Sequence, residues 1–161
     1  MVKIGIERLL EEERLQKELL HGKRFGLLAN QASVIRDLNH SKSLLKDIKG
    51  TVFSCIFSPQ HGFFSEKQDN MIESEHLVDQ ESGVPVFSLY GDTRKPDAEM
   101  MENLDILLVD LPDVGTRVYT FLYTMAYCME SAAEYGKKVV VLDRPNPIGG
   151  LQVEGNILRK E

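Results

Sequence analysis

The chain has 161 residues, a formal net charge of −6 and two cysteines. A chain of this length is expected to form one domain that buries roughly 70% of the surface its unfolded form exposes. The negative charge provides no basic surface for nucleic acid, no apolar run approaches the ~20 residues of a membrane-spanning helix, and the N-terminus lacks the apolar core of a signal peptide. We therefore expect a cytoplasmic protein that binds neither nucleic acid nor membrane, with Cys55 and Cys128 as unpaired core residues.

The first half of the chain alternates helical and strand patterns. Leucines interleaved with charges predict an N-terminal amphipathic helix closed by Gly22. The apolar run TVFSCIF, covered on both faces, predicts a buried strand that leads into the polar turn Ser58-Pro59-Gln60-His61-Gly62. The predicted elements are a helix over 5–20, a strand over 24–30, a helix over 41–48 capped by Ser41, and a strand over 51–57.

Residues 63–83 are charged and show no sustained period. A loop this long in a compact domain is typical of a functional lid, and we expect it to be mobile without ligand because it has few apolar anchors. Beyond it the predicted elements are a strand over 85–89, a short helix over 96–102, a central strand over 105–109, a helix over 118–135 ended by Gly136, and a strand over 138–142.

The central unit is the strand 105–109 with the turn and helix that follow it. The turn carries Asp110, Asp113 and Arg117 within eight residues, and apolar residues then recur at helical spacing. This arrangement places polar groups at the carboxyl end of a buried strand, where α/β proteins bind ligands. The predicted buried stripe of the helix consists of Val118, Phe121, Leu122, Met125, Ala126, Met129, Ala132 and Ala133.

Strands that alternate with helices predict a three-layer, Rossmann-like α/β fold over residues 1–150, with an open, mostly parallel sheet and helices on both faces. Residues 151–161 read as a tail or link. Because parallel strands place their carboxyl ends on one edge, we expect at least four of the five predicted strand ends to line one crevice. No glycine-rich phosphate-binding motif is present, so no nucleotide cofactor is indicated. The polar strand-end residues are Asn30, Gln31, Gln60, His61, Tyr90, Asp110, Asp113, Asp143, Arg144 and Asn146.

As a set, these motifs resemble the N-terminal domain of a family long known only as a domain of unknown function and now associated with exo-β-N-acetylmuramidases of the NamZ type. They cover nearly the whole chain in the same order. The matching pieces are residues 22–24, 27–31 (LLANQ), 59–63 (PQHGF), 85–91 (PVFSLYG), 110, 113–117 (DVGTR), 119–120, 142–150 (LDRPNPIGG) and 153–155.

The resemblance implies a function. Members of this family pair the Rossmann-like domain with a second, C-terminal domain and release terminal N-acetylmuramic acid from peptidoglycan fragments in a cleft between the two. It implies a muramic-acid-containing sugar as the ligand and residues 151–161 as a link toward the second domain. Two alternatives stay open: a non-catalytic module that binds muramyl sugars or a partner chain, and one half of a split enzyme whose other half is a separate chain. If the family's second domain normally covers part of this one, the isolated chain should expose an apolar patch near Ile148, Leu151 and Val153, so we expect self-association or a bound second chain.

One departure from the family pattern concerns the chemistry. The family reads Pro-Glu-His-Gly where this chain has Pro59-Gln60-His61-Gly62, and that glutamate is the family's best candidate for the catalytic carboxyl. Because an amide cannot give up or accept the proton, we expect the chain to hydrolyse muramides poorly. Glycoside hydrolysis needs two carboxyl groups, and Asp110, Asp113 and Asp143 are expected on the right edge of the sheet. The catalytic-site candidates are Gln60, His61, Asp110 and Asp113.

The substrate-binding candidates also have structural interpretations. Arg117 is suited to bind the lactyl carboxylate of muramic acid, or it pairs with Asp110 or Asp113. Asp113 fits an N-cap, and Asp143 with Arg144 fits a salt bridge that holds the proline-rich loop. His61 is either a sugar ligand, an acid/base or a structural histidine, and no spacing of its neighbours supports a metal. The substrate-binding candidates are Asn30, Gln31, Tyr90, Arg117, Tyr119, Asp143, Arg144 and Asn146, whereas Tyr123 is expected to be packed.

Overall fold

The computed structural model describes residues 2–60, 63, 77–90, 93–157 and 159. The described residues form five helices and six strands. In chain order they are α1 (Gly5–Glu11), α2 (Glu13–Leu19), β1 (Arg24–Ala29), α3 (Ser41–Leu45), β2 (Val52–Ser58), β3 (Leu77–Val78), β4 (Pro85–Ser88), α4 (Ala98–Glu102), β5 (Ile106–Asp110), α5 (Phe121–Glu134) and β6 (Lys138–Val141).

The six strands form one sheet in the order β3-β4-β2-β1-β5-β6. All neighbours pair in parallel except β3, which is antiparallel to β4. The predicted mostly parallel sheet is confirmed, and among the described strands only the short β3, inside the segment predicted to be irregular, was not predicted. The strand order reverses between β1 and β5, where Ala29 lies opposite Asp110, and such a reversal opens a crevice at the carboxyl edge.

The sheet is covered on both faces because side chains alternate along each strand. Phe25 and Leu27 of β1 belong to a cluster that also contains Ile6 of α1 and Leu45 of α3. Leu28, the next residue after Leu27, belongs to a second cluster with Met101 of α4 and with Cys128 and Ala132 of α5. The predicted three-layer architecture is therefore confirmed. Cys55 and Cys128 are buried and unpaired, and burial raises the pKa of each thiol to about 12.

The helix α5 corrects the predicted stripe. It begins at Phe121 rather than at Val118, since Gly115 has a φ of 70° and the residues before Thr120 are irregular. Its buried residues are Thr124, Cys128, Ser131 and Ala132. The hydroxyls of Thr124 and Ser131 are satisfied by the carbonyls of Thr120 and Pro96, which is why polar residues are tolerated there. Most members of the predicted stripe are exposed, namely Val118, Leu122, Ala126, Met129 and Ala133.

Two N-terminal predictions are also corrected. The single helix predicted over 5–20 is two helices that meet at Glu12, where the backbone leaves the helical region. The helix α3 ends at Leu45, and its N-cap is His40 rather than Ser41, because the His40 Nδ1 accepts the Lys42 backbone N–H at 3.1 Å. The hydroxyl of Ser41 is buried and has no hydrogen-bond partner among the described residues.

The predicted lid over residues 63–83 falls largely outside the described residues, which include only Phe63 and 77–83 of it. In the described part, Asp79 forms a buried ion pair with Lys42, with side-chain exposures of 2% and 8%. The Asp79 carboxylate also accepts the Ser82 backbone N–H at 2.8 Å. The turn between β3 and β4 is therefore tied to α3 by charge.

Candidate functional site

The carboxyl edge of the sheet carries three adjoining pockets. The large pocket has a volume of about 620 Å³ and takes its polar lining from the ends of β1 and β2 and from the segment before α5. A separate cavity of about 540 Å³ lies between α2 and residues 44–50, away from the strand ends. The large pocket is lined by Asn30, Gln31, Ala32, Gln60, Pro112, Val114, Val118, Tyr119, Thr120 and Phe121.

Gln60 lies where the large pocket meets a small one. Its side-chain oxygen accepts a hydrogen bond from the Thr120 hydroxyl at 2.9 Å. Both residues also line the small pocket, of about 140 Å³, which includes Tyr90 from the end of β4. Thr120 is the N-cap position of α5, so this hydrogen bond joins the end of β2 to the start of that helix. The Gln60 side chain is therefore at the junction of the two pockets.

Asn30 lines the large pocket and begins a hydrogen-bonded turn. Its side chain is buried, and its Oδ1 accepts the Ala32 backbone N–H at 3.0 Å. Its carbonyl oxygen contacts the His40 Nε2 at 2.8 Å, and because the His40 Nδ1 already accepts a backbone N–H, the Nε2 carries the proton. Burial lowers the pKa of His40, which keeps the ring neutral. The predicted ligand Gln31 is exposed next to this turn.

Asp110 and Arg144 form a buried ion pair. The Arg144 Nε and Nη2 donate to the two carboxylate oxygens at 2.6 and 2.9 Å, and its Nη1 donates to the Val34 carbonyl at 2.9 Å. The side chain of Asp110 is 0% exposed and that of Arg144 is 10% exposed. Arg144 therefore pairs with Asp110 and not, as one interpretation had it, with Asp143. A catalytic role for Asp110 stays a prediction, and it requires this pair to open.

A third pocket, of about 270 Å³, collects the residues after β5 and β6. It includes Asp113, Asp143, Arg144 and Asn146, and it meets the large pocket at Phe121. The predicted single crevice is thus replaced by three pockets along one edge. The N-cap interpretation of Asp113 is wrong, since the N-cap of α5 is Thr120.

Two further predicted ligands lie in the segment before α5. Tyr119 lines the large pocket and packs edge-on against Phe121, with 5.5 Å between ring centroids. Arg117 is exposed, and its Nη2 donates to the Asn156 carbonyl at 2.9 Å rather than to Asp110 or Asp113. His61, the remaining catalytic candidate, lies outside the described residues.

The family assignment rests on a comparison with known protein families. The family described as "Exo-beta-N-acetylmuramidase NamZ, N-terminal" matches residues 25–161. The chain belongs to this family. Its fold is accordingly that of a NamZ N-terminal domain, with the motif Pro59-Gln60-His61-Gly62 within the matched range.

Individual relatives agree with the NamZ assignment. The chain is 46% identical over 160 residues to the peptidoglycan beta-N-acetylmuramidase NamZ of Bacillus subtilis (strain 168), an alignment that covers 99% of this chain and 38% of that protein. A crystal structure of a DUF1343 family protein from Bacteroides fragilis superimposes with a TM-score of 0.83 at 39% identity, over 98% of this chain and 38% of that one. A second DUF1343 structure from the same organism gives 0.69 at 33% identity, over 89% and 35%. The chain thus spans little more than a third of these relatives.

The structure adds site residues that the sequence patterns of this NamZ domain did not suggest. Thr120 contacts Gln60, and Arg94, Tyr123 and Tyr127 line the small pocket. Tyr123 was expected to be packed, but it is 55% exposed. A tyrosine at helical spacing next to apolar residues is typical of a core position, so only the three-dimensional structure separates the two roles.

The described residues contain neither a cluster of metal-binding side chains nor a membrane-spanning helix. No three His, Cys, Asp or Glu residues in the described part of the chain are placed to hold a metal ion together. No helix within that part is long and apolar enough to cross a membrane.

Proposed function

We propose that this chain is the muramyl-sugar-binding N-terminal part of an exo-β-N-acetylmuramidase, and that Gln60 leaves it a weak catalyst or none. The observation that carries the proposal is the lining of the large pocket, which has no carboxyl group among its described residues. Glycoside hydrolysis uses two carboxyl groups beside the scissile bond. A glutamine at the strand end retains the shape and hydrogen bonding of glutamate without its proton transfer.

Binding is supported by the size and chemistry of the pocket. Its volume of about 620 Å³ lies within the range of ~300–1,000 Å³ that small-molecule sites occupy. Tyr119 and Phe121 provide aromatic surface, and Asn30, Gln31 and Gln60 provide neutral hydrogen-bonding groups. A sugar ring needs this combination, with apolar faces against aromatic rings and hydroxyls against amides.

The experiment compares turnover and binding in the same variants. A chromogenic N-acetylmuramide is assayed with the unmodified chain, with Gln60→Glu, and with the control Gln31→Glu, which places a carboxylate elsewhere in the same pocket. We expect Gln60→Glu to raise turnover by about 10²–10⁴-fold, the usual contribution of a general acid, and Gln31→Glu to leave it unchanged. Brisk hydrolysis by the unmodified chain would refute the proposal and move the acid to Asp110 or Asp113.

The alternative is a non-catalytic module, and the same assay separates the two. The assay of Gln60→Glu is repeated with the second domain of a related enzyme supplied. If turnover still does not rise while N-acetylmuramic acid binds, the non-catalytic module is the better explanation. The proposal includes a second domain or a separate chain that completes the cleft, since the relatives extend well beyond the aligned region. It also includes a cytoplasmic location, on the basis of the two unpaired cysteines.

A further inference from the structure

The small pocket beside Gln60 has the size of a substituent rather than of a sugar. Its volume is about 140 Å³, the share of roughly four or five water molecules at ~30 Å³ each. The large pocket, with which it shares Gln60 and Thr120, has the volume for a sugar ring. A ring in the large pocket therefore has room to extend one short group past Gln60 into the small one.

Charge distinguishes the two pockets. Arg94 is the only charged residue among the described residues that line either of them. Its guanidinium carbon lies 5.7 Å from the centre of the Tyr90 ring, within the range of a cation–π contact. None of the ion pairs found within the described ranges includes Arg94, whereas the next residue, Lys95, pairs with Glu134. A guanidinium that stacks on an aromatic ring still has its N–H groups available. Arginine uses two of these N–H groups to bind the two oxygens of a carboxylate.

The backbone around Arg94 is fixed by hydrogen bonds. The buried Ser131 hydroxyl of α5 donates to the Pro96 carbonyl at 2.6 Å, and the Thr93 hydroxyl donates to the Lys95 carbonyl at 2.6 Å. The same helix carries Tyr123, which lines the small pocket. Because one helix holds this segment and also provides Tyr123, the backbone that carries Arg94 needs little ordering when an anion binds.

We infer that Arg94 binds the carboxylate of the lactyl group of a muramyl sugar in the small pocket, and that this contact selects muramyl over glucosaminyl sugars. The inference rests on the proposed function and names its specificity residue. The lactyl ether is the one group that separates N-acetylmuramic acid from N-acetylglucosamine. It is short enough for the small pocket, and the large pocket has no cation among its described residues to receive its charge.

The experiment isolates the charge of the ligand. Calorimetric titrations of the full chain use N-acetylmuramic acid and its neutral methyl ester, which differ by one carboxylate charge. The variants are Arg94→Gln, Arg94→Lys, the rival Arg117→Gln and the charge control Arg36→Gln, an exposed arginine outside the pockets. Their unfolding midpoints confirm that each variant is folded.

We expect the unmodified chain to bind the acid about tenfold or more tightly than the ester at low salt, as for a charge-assisted contact. Arg94→Gln removes this preference, Arg94→Lys retains part of it, and Arg36→Gln retains it fully. The inference is overturned, and the proposed function kept, if the unmodified chain binds acid and ester equally, or if Arg117→Gln and not Arg94→Gln removes the preference. If neither sugar binds, the proposed function fails and the inference falls with it.

Discussion

The Arg144 guanidinium connects three segments of the candidate site through a buried ion pair with Asp110. Two of its N–H groups bind the Asp110 carboxylate at the end of β5, and a third binds the Val34 carbonyl in the connection after β1. The chain order of the sheet reverses between these two strands. One side chain after β6 therefore holds the edge of the sheet where the pockets lie.

Removing Arg144 is expected to destabilise the fold. Arg144→Gln leaves the Asp110 carboxylate buried without its partner, which typically costs about 3–5 kcal/mol of unfolding free energy. The exposed control Arg117→Gln loses one hydrogen bond to a carbonyl and is expected to stay within about 0.5 kcal/mol. Urea unfolding measures both. Adding Asp110→Asn to Arg144→Gln is expected to recover part of the lost stability. Equal stability of Arg144→Gln and Arg117→Gln would contradict this account.

The neutral state of His40 predicts a pH dependence. Burial lowers its pKa below the ordinary 6.5, and the Lys42 charge acts in the same direction, while the hydrogen bond to Asn30 and the charges of Asp110 and Glu81 oppose it. As the pH falls, His40 is therefore protonated in the unfolded chain before it is protonated in the folded chain. The stabilising contribution is complete above pH 6.5 and is lost as the pH falls from there through the lowered pKa.

The test compares the unmodified chain with His40→Gln. Urea midpoints at pH 7.5 and pH 5.5 are expected to differ more in the unmodified chain than in the variant. Carboxylates with lowered pKa values, such as Asp79 and Glu81, lose their contribution only as the pH falls below their ordinary values of 3.8 and 4.5, so they act in a separate window. An equal loss of stability in both proteins shows that His40 is not the titrating group.

The sequence predicted the sheet well because its strands are continuous apolar runs, and it predicted the helix faces less well. Counting apolar residues placed Leu122 and Met129 in the core, whereas the structure buries Thr124 and Ser131. Their hydroxyls bind carbonyls of Thr120 and Pro96, and such partners are not visible in a hydrophobic pattern. Periodicity identifies a helix more securely than it identifies the buried side.

The sequence predicted which strand ends provide residues to the candidate site. The residues Asn30, Gln60 and Tyr90 follow strands and do lie at pocket walls, because parallel strands end on one edge. The pairing of Arg144 with Asp110 and the contact of Thr120 with Gln60 were missed, since these residues are 34 and 60 positions apart in the chain. Arg94 lies in a loop without a distinctive pattern, and only the fold brings it to the small pocket.

The start of α1 is expected to tolerate no side chain. The Gly5 N–H donates to the Asp143 carbonyl at 2.7 Å, and a Cβ on Gly5 would lie 2.5 Å from backbone atoms of Leu142 and Asp143. Gly5→Ala therefore pushes α1 away from the segment that carries Arg144, at a cost of about 1–3 kcal/mol. The control Gly150→Ala meets nothing within 4 Å and is expected to be near neutral. The unfolding temperatures of Gly5→Ala and Gly150→Ala test this prediction. Equal midpoints for the two variants would contradict the close packing of α1 against Leu142 and Asp143.

The apolar residues after β6 lead to a prediction about association. Ile148, Leu151 and Val153 are 74%, 104% and 92% exposed, as the sequence predicted for a surface that a partner covers. Exposed apolar surface of this kind tends to bind another surface, so we expect the chain to self-associate as its concentration rises. The double variant Leu151→Lys/Val153→Lys is expected to shift light-scattering masses toward the monomer.

The control is Leu38→Lys, which changes a side chain that is also highly exposed, at 79%, in a different part of the fold. This change should leave association unchanged. A chain that stays strictly monomeric at high concentration, or equal effects of the two changes, would rule out this surface as the contact.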